Sequence, residues 1–269
     1  MGSLSWLVSL RVESHRMHDP ASRPVSVAVV MLHPKCNMTC TFCVTEDGFD
    51  EMQFDEAVAL LDHLAGEGVS SVVLGGGEPF VWPGDVVRLA AEVRARGMSV
   101  QVGTNGIDLP EGFADLDCFD RWVIPLESVD PGPHQEMRRF RGQHHALILS
   151  RLDDLQRAGQ SVTVSTVLTA VNVGDVLDVA RFLREYHAVG ENVHAWHLYQ
   201  FIPQGRGGAR NSEVLTIPED AYREACASVK RLDLPFRVYR RSDMYASKTV
   251  QFYWSEGGRL VAGGEALPI

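Results

Sequence analysis

The alternation of strand-like and helix-like segments is the feature of this 269-residue sequence that most restricts its fold. From residue 26 onward, β-branched runs such as "SVAVVML" and "SVTVSTVLTA" alternate with segments whose apolar residues recur at helical spacing, such as "FDEAVALLDHLAGEG". The strands are almost wholly apolar, which is typical of parallel strands covered by helices on both faces. Six such units are too few for a closed eight-stranded barrel. The pattern therefore predicts an α/β fold, an open partial (β/α)6 barrel with parallel strands.

The pattern changes after the glycine-rich stretch "PQGRGGARN". A helix-like segment, a strand "FRVYR" and an apparent hairpin "TVQFYWSEGGRLVAGG" with a Gly-Gly turn follow it. We therefore predict an N-terminal extension (residues 1–25), a partial-barrel core (residues 26–210) and a C-terminal helix and hairpin extension packed on the core (residues 211–269).

Composition excludes several classes of protein. Apolar residues make up 45% of the chain and charged residues 22%, which is ordinary for a soluble globular protein. The net charge of −10 argues against a nucleic-acid partner and against a polybasic membrane anchor. No apolar run approaches the length of a membrane span, and the N-terminal "LSWLVSL" lacks the flanks of a signal peptide. We expect a cytoplasmic protein with no membrane or nucleic-acid partner.

Three of the five cysteines, Cys36, Cys40 and Cys43, lie within eight residues, directly after the first strand. In (β/α) barrels the chemistry collects at the C-terminal ends of the strands, and clustered cysteines in a reducing compartment indicate metal binding or catalysis. A structural zinc site needs four protein ligands. An iron–sulfur cluster held by three cysteines would leave one iron open to a small molecule. Cys118 and Cys226 have no paired partner in the sequence and are expected to be small buried residues.

The cysteine spacing C-x3-C-x2-C, with "GGGEP" at the end of the second strand, resembles the radical S-adenosylmethionine (SAM) superfamily. The stretches "TNG", "PLES" and "STVLTAVN" at the next three strand ends extend the resemblance over about residues 26–210. It implies one [4Fe–4S] cluster on the three cysteines, with SAM bound at the fourth iron. It also implies reductive cleavage of SAM to a 5′-deoxyadenosyl radical that abstracts hydrogen from a substrate, with electrons from a donor such as flavodoxin or ferredoxin.

The resemblance also implies a set of residues that contact SAM. These are Gly75, Gly76, Gly77, Glu78, Asn105, Glu127, Ser128, Arg138 and Ser165. Three consecutive glycines permit close backbone approach to a ligand. Other roles compete for the polar members of the set: Ser128 could cap a helix, Asn105 could form a turn, Arg138 could belong to a solvated basic run, and Ser165 could bond to the neighbouring backbone.

Two pairs of residues are candidates for substrate binding. His197 and Tyr199 share one face of the strand "WHLYQF", because side chains alternate along a strand. Arg206 and Arg210 lie in the glycine-rich loop that follows and could hold an anion. The alternative for both arginines is a solvated position with no role in binding.

Three functions compete at this point. Within the superfamily the chain resembles the viperin-like group, in "GGGEPF", "WHLYQFIP" and "SDMYASKTVQFYWSEGGRLV", which implies a small polar, nucleotide-like substrate. It departs from that group at Ser165, Thr166 and His197, where viperin-like enzymes carry triphosphate-binding lysines and an asparagine. The second function is the modification of a ribosomally made peptide. The third is a non-catalytic metal-binding protein.

Overall fold

The computed structural model describes residues 25–242, 247, 249–263 and 265–266. The predicted N-terminal extension, except residue 25, and part of the stretch "SDMYASK" lie outside the described residues. The chain divides into two compact units. The first unit comprises the described residues of Met1–Lys35, Asp47–Val100 and Ala246–Ile269, and the second those of Cys36–Glu46 and Gln101–Tyr245.

The long strands and helices follow one another in the order that the sequence pattern predicts, and several short elements lie between them. The strands are β1 (Val27–Met31), β2 (Thr39–Cys40), β3 (Ser71–Gly75), β4 (Ser99–Gly103), β5 (Arg121–Pro125), β6 (Arg138–Arg139), β7 (Val162–Leu168), β8 (Val193–Gln200), β9 (Arg237–Arg241), β10 (Val250–Glu256), β11 (Arg259–Ala262) and β12 (Glu265–Ala266). The α-helices are α1 (Phe54–Gly66), α2 (Val86–Ala95), α3 (Pro131–Met137), α4 (His144–Arg157), α5 (Val176–Gly190), α6 (Gly205–Gly208), α7 (Ser212–Leu215) and α8 (Glu219–Lys230). Short 3-10 helices cover Pro79–Val81, Phe113–Asp115 and Val173–Asp175.

In the first unit, β1 is the central strand of the sheet. It pairs in parallel with β3 on one side and with β10 on the other, and β10, β11 and β12 continue as antiparallel neighbours. Ala28 and Val30 of β1 are fully buried, as are Val72 and Leu74 of β3. The register places Met31 opposite Gly75, so the loops after β1 and β3 begin side by side at one edge of this sheet.

In the larger sheet of the second unit, neighbouring strands are parallel, in the order β4, β5, β7, β8, β9. The short strands β2 and β6 form a separate antiparallel pair. Trp122 and Ile124 of β5 and Trp196 of β8 are fully buried on one face, which gives this sheet its apolar core. On the other face the register places Ser165, His197 and Tyr239 side by side on β7, β8 and β9. The parallel register therefore places these polar side chains next to one another on one face of the sheet.

The C-terminal part of the chain contributes to both sheets. The strand "FRVYR" forms β9 beside β8, and the predicted hairpin, β10 and β11, adds its first strand in parallel to β1. The stretch "PEGFADL" forms only a short 3-10 turn, Phe113–Asp115, and the chain becomes extended again at Leu116. The helix α3 was not predicted, although Asp130 caps it and Pro131 begins it. The division at residues 25 and 210 stays a prediction.

None of the helices in the described residues combines the length and the apolar character needed to cross a membrane.

Helix α2 begins at a side-chain cap, because Asp85 accepts a hydrogen bond of 2.9 Å from the backbone N–H of Arg88. Replacing such a cap by alanine typically costs about 1 kcal/mol. We expect Asp85→Ala to lower the free energy of unfolding by about that amount, measured as a shift of the urea midpoint at unchanged slope. Gln143 is a matched control because it occupies the same position before α4 without a side-chain cap bond. An equal loss in Gln143→Ala would contradict this reading of the cap.

Candidate active site

A two-residue ladder holds the middle of the cysteine loop, residues 36–43. Cys40 in β2 pairs with Arg138 in β6, and the backbone N–H of Thr41 donates to the carbonyl of Met137 at 2.8 Å. Cys36, Cys40 and Cys43 form no disulfide bond in the described residues, and all three are of intermediate exposure. The loop is therefore anchored by backbone bonds that leave its three sulfurs available as ligands.

The helix α6 and its flanks pack directly on the cysteine loop. The N–H groups of Gly207 and Gly208 both donate to the carbonyl of Cys43, at 3.0 and 3.1 Å. A Cβ atom at Gly207 would lie 2.3 Å from the carbonyl oxygen of Cys40, and one at Gly205 would lie 2.3 Å from Val44. Only glycine permits this approach. The stretch "PQGRGGARN" therefore supports the cysteine loop, a role that sequence reasoning missed because glycine-rich stretches also form ligand loops and simple turns.

Arg206 and Arg210, the predicted anion-binding pair, lie on and just after α6. The N–H of Arg206 donates to the carbonyl of Thr45 at 3.1 Å, and the residue is partly buried. Arg210 is exposed. Their proposed contact with substrate stays a prediction.

The glycine loop of the first unit, Gly75 to Glu78, packs on the backbone that leads to Cys36. Gly76 has a φ of 116°, and a Cβ atom at Gly77 would lie 1.7 Å from the carbonyl oxygen of Lys35. The N–H groups of Gly77 and Glu78 donate to the carbonyls of His33 and Lys35, at 2.6 and 2.9 Å. Gly76 and Gly77 are thus required by the protein's own backbone, and the contact of the loop with SAM stays a prediction.

Asn105, at the end of β4, contacts the start of the cysteine loop. Its amide nitrogen lies 2.6 Å from the side-chain oxygen of Asn37 and 3.5 Å from the sulfur of Cys36. Its amide oxygen accepts from the N–H of Ile107 at 3.0 Å. One buried side chain therefore forms the turn and also contacts the cysteine loop, and the contact of Asn105 with SAM stays a prediction.

Glu127, at the end of β5, forms a buried ion pair with Arg138 at 2.7 Å and accepts the N–H of Val167 at 2.7 Å. Burial raises the pKa of the Glu127 carboxyl, and the positive charge of Arg138 opposes that rise. The guanidinium of Arg138 also lies 3.6 Å from the sulfur of Cys40. The pair therefore places a positive charge beside one of the candidate cluster ligands.

The thiol of Cys40 shows why that charge matters. Part of the residue reaches solvent, but burial of its sulfur raises the pKa to about 12, against the opposing effect of Arg138. A cysteine binds metal as the thiolate, so the bound form of Cys40 needs compensating positive charge. Arg138 supplies part of it, and iron would supply the rest.

The donor set fits an iron–sulfur cluster better than a single ion. In the part of the chain that the structure describes, no group of three or more His, Cys, Asp or Glu side chains is placed to hold one metal ion. A cluster makes no such demand because each cysteine binds a different iron. Cys36, Cys40 and Cys43 would hold three irons, with Arg138 and Asn105 beside two of the sulfurs.

Two other predicted SAM contacts have partners of their own in the second unit. The hydroxyl of Ser128 donates to Asp175 at 2.7 Å and accepts the N–H of Asp130 at 3.0 Å, so it supports the turn before α3. Ser165 is half-buried beside His197 in the sheet. Their contact with SAM stays a prediction.

A polar and aromatic face covers β8 and β9. His197 contacts the rings of Tyr199 and Tyr239, with centroids 5.9 and 5.2 Å away, and its Nδ1 lies 3.2 Å from the Tyr199 hydroxyl. The guanidinium of Arg241 lies 5.0 Å from the centre of the Tyr239 ring. Burial, helped by the nearby charge of Arg241, lowers the pKa of His197 to about 3. His197 is therefore neutral at physiological pH, and the positive charge of this face belongs to arginine.

Sequence reasoning found His197 and Tyr199 but missed their neighbours on β9. The alternation in "RVYRR" puts Tyr239 and Arg241 on one face and Arg240 on the other, which was readable in advance. The pairing of β9 with β8 could not be predicted, because the sequence of a strand does not specify which other strand it pairs with.

Comparison with known proteins adds to this geometry. Residues 30–183 match a family model described as the Radical SAM superfamily. Relatives include a GTP 3',8-cyclase of Rhizobium etli, 28% identical over 68% of this chain and 55% of that enzyme. An AdoMet-dependent heme synthase of Nitratidesulfovibrio vulgaris is 26% identical over 68% of this chain and 50% of its own length. The chain thus spans about half the length of these curated relatives.

Solved structures share the fold at low identity. Streptococcus suis SuiB bound to S-adenosylmethionine matches 89% of this chain and 60% of its own, with a TM-score of 0.70 and 13% identity. Native anSMEcpe with bound AdoMet matches 81% of this chain and 64% of its own, with a TM-score of 0.63 and 14% identity. The expected fold class is confirmed: mixed α/β with a mostly parallel sheet that does not close into a full barrel.

Gly77 offers a test of the glycine loop. We expect Gly77→Ala to destabilise the protein by about 1–3 kcal/mol and to lower its iron and sulfide content after anaerobic reconstitution, because the backbone before Cys36 must move. Gly75→Ala is the matched control, since nothing lies within 4 Å of a Cβ atom there. Equal iron content and equal thermal stability in the two variants would show that the close approach at Gly77 is not needed.

The cysteines give a second test. Cys36→Ala, Cys40→Ala and Cys43→Ala should each abolish the cluster, measured by iron and sulfide analysis and by the visible absorption of the reconstituted protein. Cys118→Ala and Cys226→Ala should retain it, because these residues lie outside the loop and Cys226 is buried. Twice the iron and sulfide of one [4Fe–4S] cluster would indicate a second cluster and contradict the assignment.

Proposed function

The chain belongs to the Radical SAM superfamily, and from that premise we propose that it abstracts hydrogen from a small, anionic, nucleotide-like substrate. The family match confirms the expected enzyme class and its cofactors, a [4Fe–4S] cluster and S-adenosylmethionine. When bound and reduced, this pair supplies the 5′-deoxyadenosyl radical. The proposed ligand residues are Cys36, Cys40 and Cys43.

The protein's own residues have distinct proposed tasks in that chemistry. Arg138, held by Glu127, keeps positive charge beside the sulfur of Cys40. Asn105 fixes the start of the cysteine loop through Asn37. The proposed contacts with SAM remain those of the glycine loop, Asn105, Glu127, Ser128, Arg138 and Ser165. A small redox protein such as flavodoxin or ferredoxin is the proposed electron donor.

The observation that carries the substrate proposal is the face of β8 and β9. Tyr199 and Tyr239 offer hydroxyls and ring surfaces, and Arg241 offers a planar guanidinium that suits phosphate or carboxylate. His197, kept neutral by burial, is available as a hydrogen-bonding group without adding charge. In a nucleotide site, aromatic rings can stack on the base, and an adjacent arginine can bind the phosphates.

The relatives support the same class of substrate. Several of the curated relatives are named GTP 3',8-cyclase, an activity on a nucleotide. Membership of the viperin-like group stays a prediction. A ribosomally made peptide is the alternative, raised by the fold shared with SuiB, whose structure bound to the precursor peptide SuiA matches with a TM-score of 0.67 and 12% identity. Because that identity shows the fold alone, the nucleotide is the stronger proposal.

Arg241 tests the proposal against a neighbour on the opposite face. An anaerobic screen of nucleotides, sugar nucleotides and candidate peptides, read as 5′-deoxyadenosine formed, identifies the substrate class. With the best anionic substrate, Arg241→Ala should lower coupled activity by about ten- to a hundred-fold, since a charge-assisted hydrogen bond is worth about 1.5–3 kcal/mol. Cleavage of SAM without substrate should survive.

Arg240→Ala is the matched control because Arg240 is exposed on the same strand. Arg206→Ala and Arg210→Ala belong in the same series, with loss of coupled activity expected if the loop after β8 also contacts the anion. Turnover of peptides alone, or full coupled activity in Arg241→Ala, would refute the anionic-substrate proposal.

A further inference from the structure

Two buried histidines form a chain of hydrogen bonds between two strand ends of the second unit. The backbone N–H of Glu127 donates to Nδ1 of His134 at 3.2 Å, and Nε2 of His134 lies 2.8 Å from Nδ1 of His144. Nε2 of His144 lies 2.9 Å from the carbonyl oxygen of Asn105. Both imidazole side chains are fully buried. The two rings therefore bridge the residues that follow β4 and β5.

The backbone groups at the two ends of this hydrogen-bond chain determine which nitrogen of each imidazole ring carries the proton. A backbone N–H can only donate, so Nδ1 of His134 must accept, and its proton sits on Nε2. That N–H donates to Nδ1 of His144, which leaves the proton of His144 on Nε2, where it donates to the carbonyl of Asn105. Each ring thus has one tautomer, and all three bonds run in the same direction.

Protonation of either ring would break the chain, because an imidazolium has no acceptor. Burial lowers the pKa of His134 to about 2 and that of His144 to about 4, with the charge of Arg138 acting in the same direction. The neutral, ordered chain is therefore the state present across the physiological range of pH.

The two bridged residues both act on the cysteine loop. Glu127 positions Arg138, which lies 3.6 Å from the sulfur of Cys40. Asn105 lies 3.5 Å from the sulfur of Cys36. A bridge between Glu127 and Asn105 consequently fixes two charged or polar groups relative to two of the cluster ligands.

We propose that His134 and His144 are positioning residues for the iron–sulfur cluster, acting as a neutral relay that sets the placement of Glu127 and Asn105 and, through them, the electrostatics at Cys40 and Cys36. The relay depends on membership of the superfamily and not on the proposed substrate. Its tests therefore use no substrate, and their failure leaves the substrate proposal intact.

The adjacent His145 provides a control that distinguishes the positioning role from a role in packing alone. It is also buried, and its ring contacts that of His134 edge-on, with centroids 5.2 Å apart. It takes no part in the hydrogen-bond chain to Asn105. His145→Phe therefore removes a neighbouring buried imidazole and leaves the relay in place.

The first experiment needs neither cluster nor variant. Histidine ring ¹⁵N spectra of the labelled 269-residue protein should show His134 and His144 with the proton on Nε2 from pH 5.5 to 8. An Nδ1-protonated tautomer, or an imidazolium in that range, at either residue would overturn the relay.

The second experiment compares loaded variants by EPR-monitored reductive titration. His144→Phe should shift the cluster's midpoint potential and lower substrate-free SAM cleavage about tenfold. His144→Gln should recover part of both effects, because its amide can donate to the Asn105 carbonyl, and His145→Phe should change neither. Equal shifts in His144→Phe and His145→Phe, or no shift in any variant, would overturn the positioning role. Should His144→Phe fail to fold, the glutamine variant and the tautomer spectra decide the question.

Discussion

The buried ion pair between Glu127 and Arg138 is the interaction on which the second unit's candidate site depends. Removing one member would leave an uncompensated charge in a water-poor interior, a change that typically costs about 3–5 kcal/mol. Here each oxygen of Glu127 is satisfied, one by Arg138 and the other by the N–H of Val167 on the neighbouring strand. The pair thereby ties the ends of β5 and β7 to β6, whose ladder with β2 carries Cys40. In this way the parallel sheet fixes the position of the Cys40 sulfur.

Glycine has a second use in this chain beyond ligand approach. In the first unit, Gly77 lies where a methyl group would meet the backbone of Lys35; in the second, Gly207 lies where one would meet the backbone of Cys40 in the cysteine loop. A loop that must present three sulfurs to a cofactor cannot fill its own interior with side chains, so neighbouring backbone packs against it instead. Backbone N–H groups then satisfy its carbonyls, as Gly207 and Gly208 do for Cys43.

The sequence allowed the strand and helix pattern, the cysteine loop and the glycine loop to be predicted, because periodicity and spacing are local properties. The pairing of strands that are distant in the sequence could not be predicted from the sequence. The parallel pairing of β9 with β8 and of β10 with β1 depends on the tertiary fold, so the sequence could not predict that Arg241 lies on the same face as His197. The same limit applied to Arg138: the basic run "RRFR" resembles a solvated surface until its pairing with the cysteine strand is known.

An acidic protein can still bind an anion if the local arrangement outweighs the distant charge. The net charge of −10 is spread over the chain, and at physiological ionic strength charges further apart than about 8 Å are largely screened from one another. A ligand on the face of β8 and β9 would therefore sense Arg241 and its aromatic neighbours more strongly than the surface carboxylates. Burial keeps His197 neutral, so this face carries no second buried positive charge, and Arg241 is the proposed group that would select for an anion. For such a ligand the negative charge of the whole chain would oppose long-range attraction, so the proposed selectivity would depend on short-range contacts.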